Sequence, residues 1–458
     1  MREGVLVTGD VSRITIETPI EFNDKLPDKV DVVVIGGGII GTFSALYLAR
    51  KGKRVLVCEK GRVAGEQSSR NWGWIRQHGR DLAELPIMIQ SLRLWHEADR
   101  ETNGQCGVVT AGTYYLVRTP SEMESYESWV STAQDFDLDS RTLSAREAAD
   151  LFSGHASQEW VGGVCTPSDA RGEPWLAVPS VARLARDAGA LFRESCAVRA
   201  LDIAAGQIRG VVTEHGTVAC EQVVLSGGVW SSIFARRHGI DIPQLTIDGT
   251  VAQTAPLPEF FAGCAWDEQL GMRRRVDGGF TLALGDRNGF CPGPDAFRHF
   301  RSYLPVLRKS WRSIDFHIGL PAVGYPDAWG TPRTWHEDQV SPFERTRVLE
   351  PPPNRKYVRL ICDRFEKRFP DIGRPKILNS WAGLIDSMPD VVPVVDRVPT
   401  IAGLIIATGM CGHGFGIGPG FGRVVARMIA GEDAEHDLTR FRFERFSDGS
   451  ELDLRSSL

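Results

Sequence analysis

Hydrophobic spacing along the first sixty residues changes from strand to helix and back. DVVVIGGG (31–38) is an unbroken apolar run that stops at glycines. A short continuous apolar run bounded by turn residues predicts a strand buried on both faces. IIGTFSALYLARKG (39–52) predicts a helix with Gly52 as its stop. KRVLVCEK (53–60) returns to buried strand. Strand, helix and strand in succession predict a parallel βαβ unit. Beyond it, LAELPIMIQSLRLWHEADRE (82–101) is helical after its proline, and GVVTAGTYYLVRT (107–119) reads as strand. Residues 120–151 read as helices with charged outer faces. PWLAVPSVARLARDAGA (174–190) places Pro174 at a helix start and ends at Gly189. Residues 197–228 alternate short strands with turns and end in a buried strand. Residues 236–375 are mixed, with a proline-rich stretch (318–353) that reads as ordered loop. GLIIATGM (403–410) is a last buried strand, followed by the glycine-rich CGHGFGIGPGFG and a final helix, RVVARMIAG. Neither internal repeats nor low-complexity tracts are present.

Length and charge narrow the function. A chain of 458 residues is too long for one compact core and carries two or three domains' worth of material. The net charge is −5, with no basic stripe, which argues against nucleic acid as a partner. Nine dispersed cysteines without a CxxC pair read as reduced thiols, not as a disulfide frame or a zinc site, and no metal is expected. The first thirty residues lack the apolar core of a signal peptide and read as a lead segment. The most apolar stretch, 391–409, is broken by Asp396, Arg397 and two prolines. These features predict a soluble, cytoplasmic protein and leave peripheral membrane attachment open.

The turn after the first strand carries candidate chemistry. Gly36, Gly38 and Gly41 fit G-x-G-x-x-G between a strand and a helix. The first glycine permits the tight turn, the second lets backbone approach a pyrophosphate, and the third lets helix pack on strand. The helix that opens at Ile39 offers free N–H groups to phosphates. Glu59, with Lys60 after it, ends the second strand where an acid can hydrogen-bond a ribose hydroxyl. NAD, NADP and FAD can all use such a loop. Glu59 opposes NADP, whose extra phosphate it would repel.

Three later stretches extend the pattern: GEQSSRNWGWIRQHGR (65–80), VVLSGGVWSS (223–232) and IIATGMCGHGFGIGPGFG (405–422). Their order after the first motif resembles the FAD-dependent D-amino-acid oxidase superfamily, which includes glycine oxidases, sarcosine oxidases and D-amino-acid dehydrogenases. The likeness covers most of residues 31–440 and is weakest in 236–375. It implies an α/β fold in which a Rossmann-like FAD-binding domain (31–105, 160–235 and 376–440) is interleaved with a substrate domain built on a large mixed β-sheet (106–159 and 236–375). Residues 1–30 and 441–458 are then lead and tail. The implied cofactor is FAD. Its implied contacts are the first-motif residues above, then Ser68, Ser69, Arg70, Asn71, Gly73, Trp74, Val198, Gly227, Trp230, Gly412, Gly414, Phe415 and Gly416. Gly228 closes the strand end beside Gly227, and His413 lies within the last loop, where it can touch flavin or substrate.

The resemblance also implies a reaction: hydride leaves the carbon beside an amine for the flavin, and the resulting imine hydrolyses, with no dedicated general base required. The chain departs from the family pattern in three places. An arginine four residues before a Pro-Asp turn is Ile385 here, with Asp386 beside it. The sarcosine-oxidase stretch IIRH corresponds to WIRQ, which makes Arg76 the candidate carboxylate anchor. A lysine over the flavin that assists reaction with oxygen corresponds to Ala283, so oxidase and dehydrogenase remain open, with oxygen or a quinone as acceptor. The family's covalent cysteine falls near Gly383, so FAD is expected to be non-covalent; Cys411 is not the attachment residue. Arg76, His413 and Asp386 are the substrate-side candidates. Asp386 either faces a cationic group of the substrate or caps a turn or pairs with Arg397 or another basic residue. Trp72, Trp74 and Trp381 either wall the pocket or pack the core. Arg273, Arg274 and Arg275 read as a solvated basic run. The expected activity is oxidation of the C–N bond of an amino acid or an N-substituted amino acid (secondary amine, opine-like or imino diacid). The alternatives are a flavoprotein subunit that needs a partner for turnover and an NAD-linked dehydrogenase. A homo-oligomer is possible in either case.

Overall fold

The computed structural model describes residues 12–157, 160–317, 319 and 323–454. The βαβ unit forms as β1 (Val32–Ile35), α1 (Ile39–Arg50) and β2 (Val55–Cys58). It lies within a six-stranded sheet ordered Val394–Arg397, Leu404–Thr408, Gln222–Leu225, β1, β2, Leu191–Arg193. All neighbours run parallel except the edge strand Val394–Arg397. The unbroken apolar run of β1 has a direct cause. Val32 and Val34 pack with α1 and the helix Gly414–Ala430. Val33 and Ile35 face the opposite way, into the three-stranded sheet Val198–Ala204, Gln207–Thr213, Gly216–Ala219. A strand covered on both faces has no polar side to show.

The second layer is a ten-stranded sheet. Its longest pairing is antiparallel, Leu245–Thr254 against Ile377–Ser387, with Asp248 opposite Leu384. This sheet takes two strands from segments expected in the FAD domain, Gly162–Thr166 and Ile377–Ser387. Backbone pairing, not chain proximity to the glycine motifs, decides where they belong. Residues 120–151 also differ from the all-helical expectation. The helix Pro120–Gln134 and the short helix Ala145–Asp150 are separated by the strand Arg141–Ser144, and each helix opens with a capping box. The proline-rich stretch is irregular except for one turn of helix, Pro342–Arg345; residues 318 and 320–322 lie outside those described.

Described segments near both ends pack into the core. Ile14 and Phe22 are buried in the cluster that holds β1 and α1, and the Phe22 ring lies tilted against Phe192 with centroids 5.4 Å apart. Phe441 is fully buried in the same cluster. Arg445 pairs with the buried Asp390 at 2.8 Å. Residues 12–30 and 441–446 are therefore structural parts, not lead and tail; residues 1–11 and 455–458 lie outside the description.

The arginine run is not a solvated surface. Arg273 and Arg275 are 1% and 3% exposed. Strand periodicity sends these two to the same buried face. Arg273 donates to both carboxylate oxygens of Glu173 at 2.9 and 3.1 Å, and Arg275 lies 4.2 Å over the Trp175 ring.

The glycine-rich stretch is mostly helix: only Cys411–His413 form loop before Gly414–Ala430 begins. A Cβ on Gly418 would lie 2.5 Å from Ile39, and one on Gly422 2.5 Å from Phe43. Four residues apart on one helix face, these glycines let the helix press against α1.

Candidate active site

One cavity of about 590 Å³ separates the β1–α1 turn from the large sheet. It runs from Glu59 past Gly36, Gly38 and Ile39 to Gly412, His413, Gly414 and Phe415. Gly249, Val251 and Leu384 of the large sheet form the opposite wall.

Backbone shape makes the turn. Gly36 has φ +105°, and a Cβ there would meet the Ser226 carbonyl at 2.6 Å. A Cβ on Gly41 would lie 2.0 Å from the Gly36 oxygen, so Gly41 lies behind the turn and fixes its packing. The Glu59 carboxylate accepts from the N–H of Gly37 at 2.7 Å and of Gly61 at 2.8 Å. Burial pushes its carboxyl up to about 7, against the pull of Lys60 and those two N–H groups. Lys60 donates to the carbonyls of Thr346 and Arg347 and lies 4.5 Å over the Trp230 ring. Trp230 in turn donates to Glu66 at 2.9 Å. Val198 lines the cavity beside Phe234 and Phe343.

The segment 67–74 is divided between wall and scaffold. Ser68 Oγ accepts the Ile39 N–H at 2.9 Å, capping α1 at the cavity. Ser69 and Arg70 turn toward Ile14: Ser69 Oγ accepts from its N–H at 3.2 Å, and Arg70 donates to its carbonyl at 3.4 Å and to the Gly65 carbonyl at 2.6 Å. Asn71 accepts from Gly73 N–H at 2.8 Å and donates to the Ser68 carbonyl, which shapes the turn into Trp74. Gly73 takes φ +78° with no room for a side chain against the Gly172 carbonyl. Gly227 lines the wall, while Gly416 lies behind it and its carbonyl accepts from Ser91 at 2.7 Å.

Asp386 ties four segments together. It is 1% exposed, and burial raises its pKa. One oxygen accepts from Gln67 Nε2 at 3.0 Å. The other accepts from Gln244 Nε2 at 3.2 Å and Met410 N–H at 3.1 Å. Gln67 Oε1 continues to the Val229 N–H, and Gln244 continues to Thr408. Among the described residues it pairs with neither Arg397 nor any other basic residue; its partners are amides.

The far end of the cavity is aromatic and cationic. Trp72, Trp74, Tyr115, Tyr126 and Trp266 line it, with ring centroids 5.5–6.3 Å apart between neighbours. Trp381, by contrast, is core, donating to the Arg70 carbonyl at 3.0 Å. Arg76 lies 5.6 Å from the Tyr115 ring and donates to the His78 carbonyl. Arg80 is also on the wall, and its Nε donates to the Arg76 carbonyl at 3.2 Å. One terminal nitrogen of Arg80 is buried without a hydrogen-bond partner. Burial, then the charge of Arg76, pushes Arg80 down to about 9. His413 borders the same end, with Nδ1 3.3 Å from the enclosed carboxylate of Glu84.

Sequence reasoning missed Arg80, Glu84, Tyr115, Tyr126, Gln67, Gln244 and Trp266. Arg80 and Gln67 stand inside the quoted stretch 65–80 and were legible there as polar residues of a cofactor segment. Trp266 and Gln244 carry no local signal, because the cavity gathers them from distant strands and loops.

Residues 31–428 match the family described as "DAO: FAD dependent oxidoreductase". The chain belongs to this family. It is 24% identical to glycine oxidase of Bacillus subtilis (strain 168) over 424 residues, 91% of this chain and 97% of that protein. It is 26% identical to human mitochondrial sarcosine dehydrogenase over 92% of this chain, but that match spans only 42% of the relative. The match to mouse dimethylglycine dehydrogenase (22% identical, 92% of this chain) likewise spans 44% of the relative. The chain thus spans less than half the length of these two dehydrogenases. Among solved structures, L-amino acid deaminase from Proteus myxofaciens, in complex with anthranilate, superposes with a TM-score of 0.88 at 27% identity, covering 94% of this chain and 96% of that one. The cavity suits the family's cofactor: a turn that only glycine can make at Gly36 and Gly41 sits between the Glu59 carboxylate and the opening of the helix Gly414–Ala430. Among the described residues, no helix is long and apolar enough to cross a membrane.

Proposed function

We propose that the protein oxidises the C–N bond of an α-amino acid, primary or N-substituted, whose carboxylate rests on Arg76 and Arg80. The observation that carries this reading is the pair of guanidinium groups on the wall of an aromatic chamber, one with a buried N–H to spare. A guanidinium recognises a carboxylate through paired, charge-assisted hydrogen bonds. The rings of Trp72, Trp74, Tyr115, Tyr126 and Trp266 suit a large apolar or aromatic side chain. The anthranilate bound by the Proteus deaminase, an aromatic carboxylate, supports the same chemistry.

On this reading Gly36, Gly38, Ile39, Glu59, Ser68, Val198, Gly227, Gly412, Gly414 and Phe415 hold FAD directly. Gly41, Lys60, Ser69, Arg70, Asn71, Gly73, Trp74, Trp230 and Gly416 fix the walls that do so. FAD, when bound, supplies the two-electron acceptor, non-covalently. Arg76 and Arg80 orient the α-carbon by its carboxylate, and the aromatic walls exclude water until the imine has formed. Water then converts the imine to an oxo acid and ammonia, or a primary amine from an N-substituted substrate.

The test is anaerobic. Purified protein is mixed with D- and L-amino acids, N-methyl amino acids, imino diacids and opine-like conjugates while the visible flavin band is followed. Bleaching by one class names the substrate, and readmitted air shows whether oxygen serves as acceptor or a quinone is needed. A second reading, a flavoprotein subunit that needs a partner, draws on one relative, the mouse pyruvate dehydrogenase phosphatase regulatory subunit, 22% identical over 95% of this chain and 46% of its own. Full flavin content with no bleaching by any amine would favour it.

A further inference from the structure

Glu84 is an acid with no counterpart in the chemistry above. Its side chain is completely enclosed, just before the helix Leu85–Glu101, and neither carboxylate oxygen has an aligned hydrogen-bond partner. One oxygen lies 3.3 Å from His413 Nδ1, which is also buried and unaligned. The third member is Arg80, with its spare terminal nitrogen. Buried polar groups are nearly always satisfied, so three deficits in one cluster at a cavity wall point to a function. His413 keeps 19% of its side-chain surface, and the cavity is what it borders. With Nδ1 turned to Glu84, the nitrogen left for the cavity is Nε2.

The charges facing the ring come from two elements: Arg76 and Arg80 from the 76–80 turn, and Glu84 from the head of the helix behind it. On the loop side, Asp386 is occupied by Gln67, Gln244 and Met410, and Cys411 Sγ accepts from Met388 N–H at 3.3 Å. The phenols of Tyr115 and Tyr126 are held protonated by burial. His78, also held neutral by burial, stacks 4.3 Å from the Tyr115 ring but does not line the cavity; among the described residues that do, His413 is the one imidazole.

We propose that Glu84 fixes His413 with its proton on Nδ1, so that Nε2 accepts the proton a substrate ammonium must lose before oxidation. The inference rests on the amino-acid reading above. In the step, one ammonium N–H bond breaks and a proton passes to Nε2. The electron pair stays on the substrate nitrogen, and the imidazolium that forms is paired with Glu84. No electrons leave the substrate here. Burial, then Arg80, pushes His413 down to about 4, so without substrate the ring is neutral at pH 7 and a weak base; it takes the proton only once a bound carboxylate has neutralised Arg76 and Arg80. The same arginines disfavour a nearby ammonium, and a substrate carboxylate placed on them relieves their repulsion of the ring. Alignment of such pairs commonly tightens only when substrate binds. Glu84 acts through His413 and is a positioning residue.

The experiment uses holoprotein labelled with ¹⁵N-histidine, with His413→Gln assigning the signal. The expected spectrum at pH 7.5 shows a protonated Nδ1 and a bare Nε2; the opposite tautomer overturns the proposal. Anaerobic flavin bleaching is then followed against pH for wild type, His413→Gln and Glu84→Gln. At pH 7 the His413→Gln rate is expected to fall about 10²-fold. Its deficit should shrink as pH rises through the substrate's ammonium pKa, because the amine then arrives neutral. Glu84→Gln should show the same trend with a smaller deficit. A deficit that stays constant with pH overturns the proton-acceptor role while leaving the amino-acid reading intact. A wild type that no amino acid bleaches overturns both. If a variant fails to retain flavin, the wild-type tautomer decides.

Discussion

Replacing Asp386 by alanine separates two roles for this carboxylate, substrate ligand or keystone. The structure assigns it three donors. Gln244 Nε2 has further acceptors in Gly228 O at 3.3 Å and Thr408 Oγ1 at 3.2 Å, so it remains satisfied without Asp386. Gln67 Nε2 and Met410 N–H have no second partner of this kind and are stranded. A buried donor left without a partner costs about 1–3 kcal/mol, so the pair costs about 2–6. Relief of the carboxylate's own burial, which raises its pKa, offsets part of this. A net loss of about 2–4 kcal/mol is expected, a drop in Tm of about 2–4 °C for a chain this long. Asp386→Asn keeps one acceptor and should lose about half as much. The assay is thermal unfolding of flavin-stripped and flavin-loaded protein, since bound cofactor adds its own stability. Because Gln67 and Met410 both border the cavity, flavin affinity should fall along with Tm. An alanine variant with unchanged Tm and flavin content, but a raised KM for one cationic substrate, would refute this reasoning and restore Asp386 as a substrate ligand.

Arg76→Ala and Arg80→Ala should each raise KM about 30-fold or more with flavin content unchanged, the usual cost of removing one partner of a buried charge pair; an unchanged KM removes the anchor assignment. Gly41→Ala forces a Cβ to 2.0 Å from the Gly36 carbonyl, so the purified variant should be colourless or insoluble, and a normal visible spectrum would contradict the turn geometry. Glu59 has its folded pKa, about 7, above the ordinary 4.5, so the fold prefers its protonated form. Its contribution to flavin-stripped stability is full below pH 4.5 and lost as pH rises through 7; Glu59→Gln, followed by melting temperature, should flatten that decline relative to wild type.

The parts of the site that read clearly from sequence are those whose chemistry is local. Gly36, Gly38, Gly41 and Glu59 belong to one strand-helix-strand unit, and each answers a demand made within about twenty residues. The glycines after His413 were only half legible. Gly412 serves the loop with φ +80°, but Gly418 and Gly422 serve helix packing against Ile39 and Phe43, and a glycine count cannot separate the two uses. Arg273 looked solvated because its partner Glu173 lies a hundred residues away, and Arg275 because the Trp175 ring that covers it is as distant in sequence. Asp386 illustrates the same limit: its amide partners come from residues 67, 244 and 410, and no spacing rule joins them.

The strand Ile377–Ser387 links the large sheet to the cofactor segments. It pairs along its length with Leu245–Thr254, so it belongs to the large sheet. Yet it faces the cofactor segments closely: a Cβ on Gly383 would lie 3.1 Å from Arg70, and Asp386 holds Gln67 and the Met410 loop. One strand therefore serves as wall for both halves of the cavity. A shift of the large sheet would strand the Gln67 amide and the Met410 N–H together, each at a cost of about 1–3 kcal/mol. The cavity's two ends, the glycine cradle and the arginine-lined aromatic chamber, are thus held at a fixed separation by hydrogen bonds that neither sheet could satisfy alone. That fixed separation is what catalysis by orientation requires, since a displacement of about 1 Å between reacting groups is enough to lose orders of magnitude in rate.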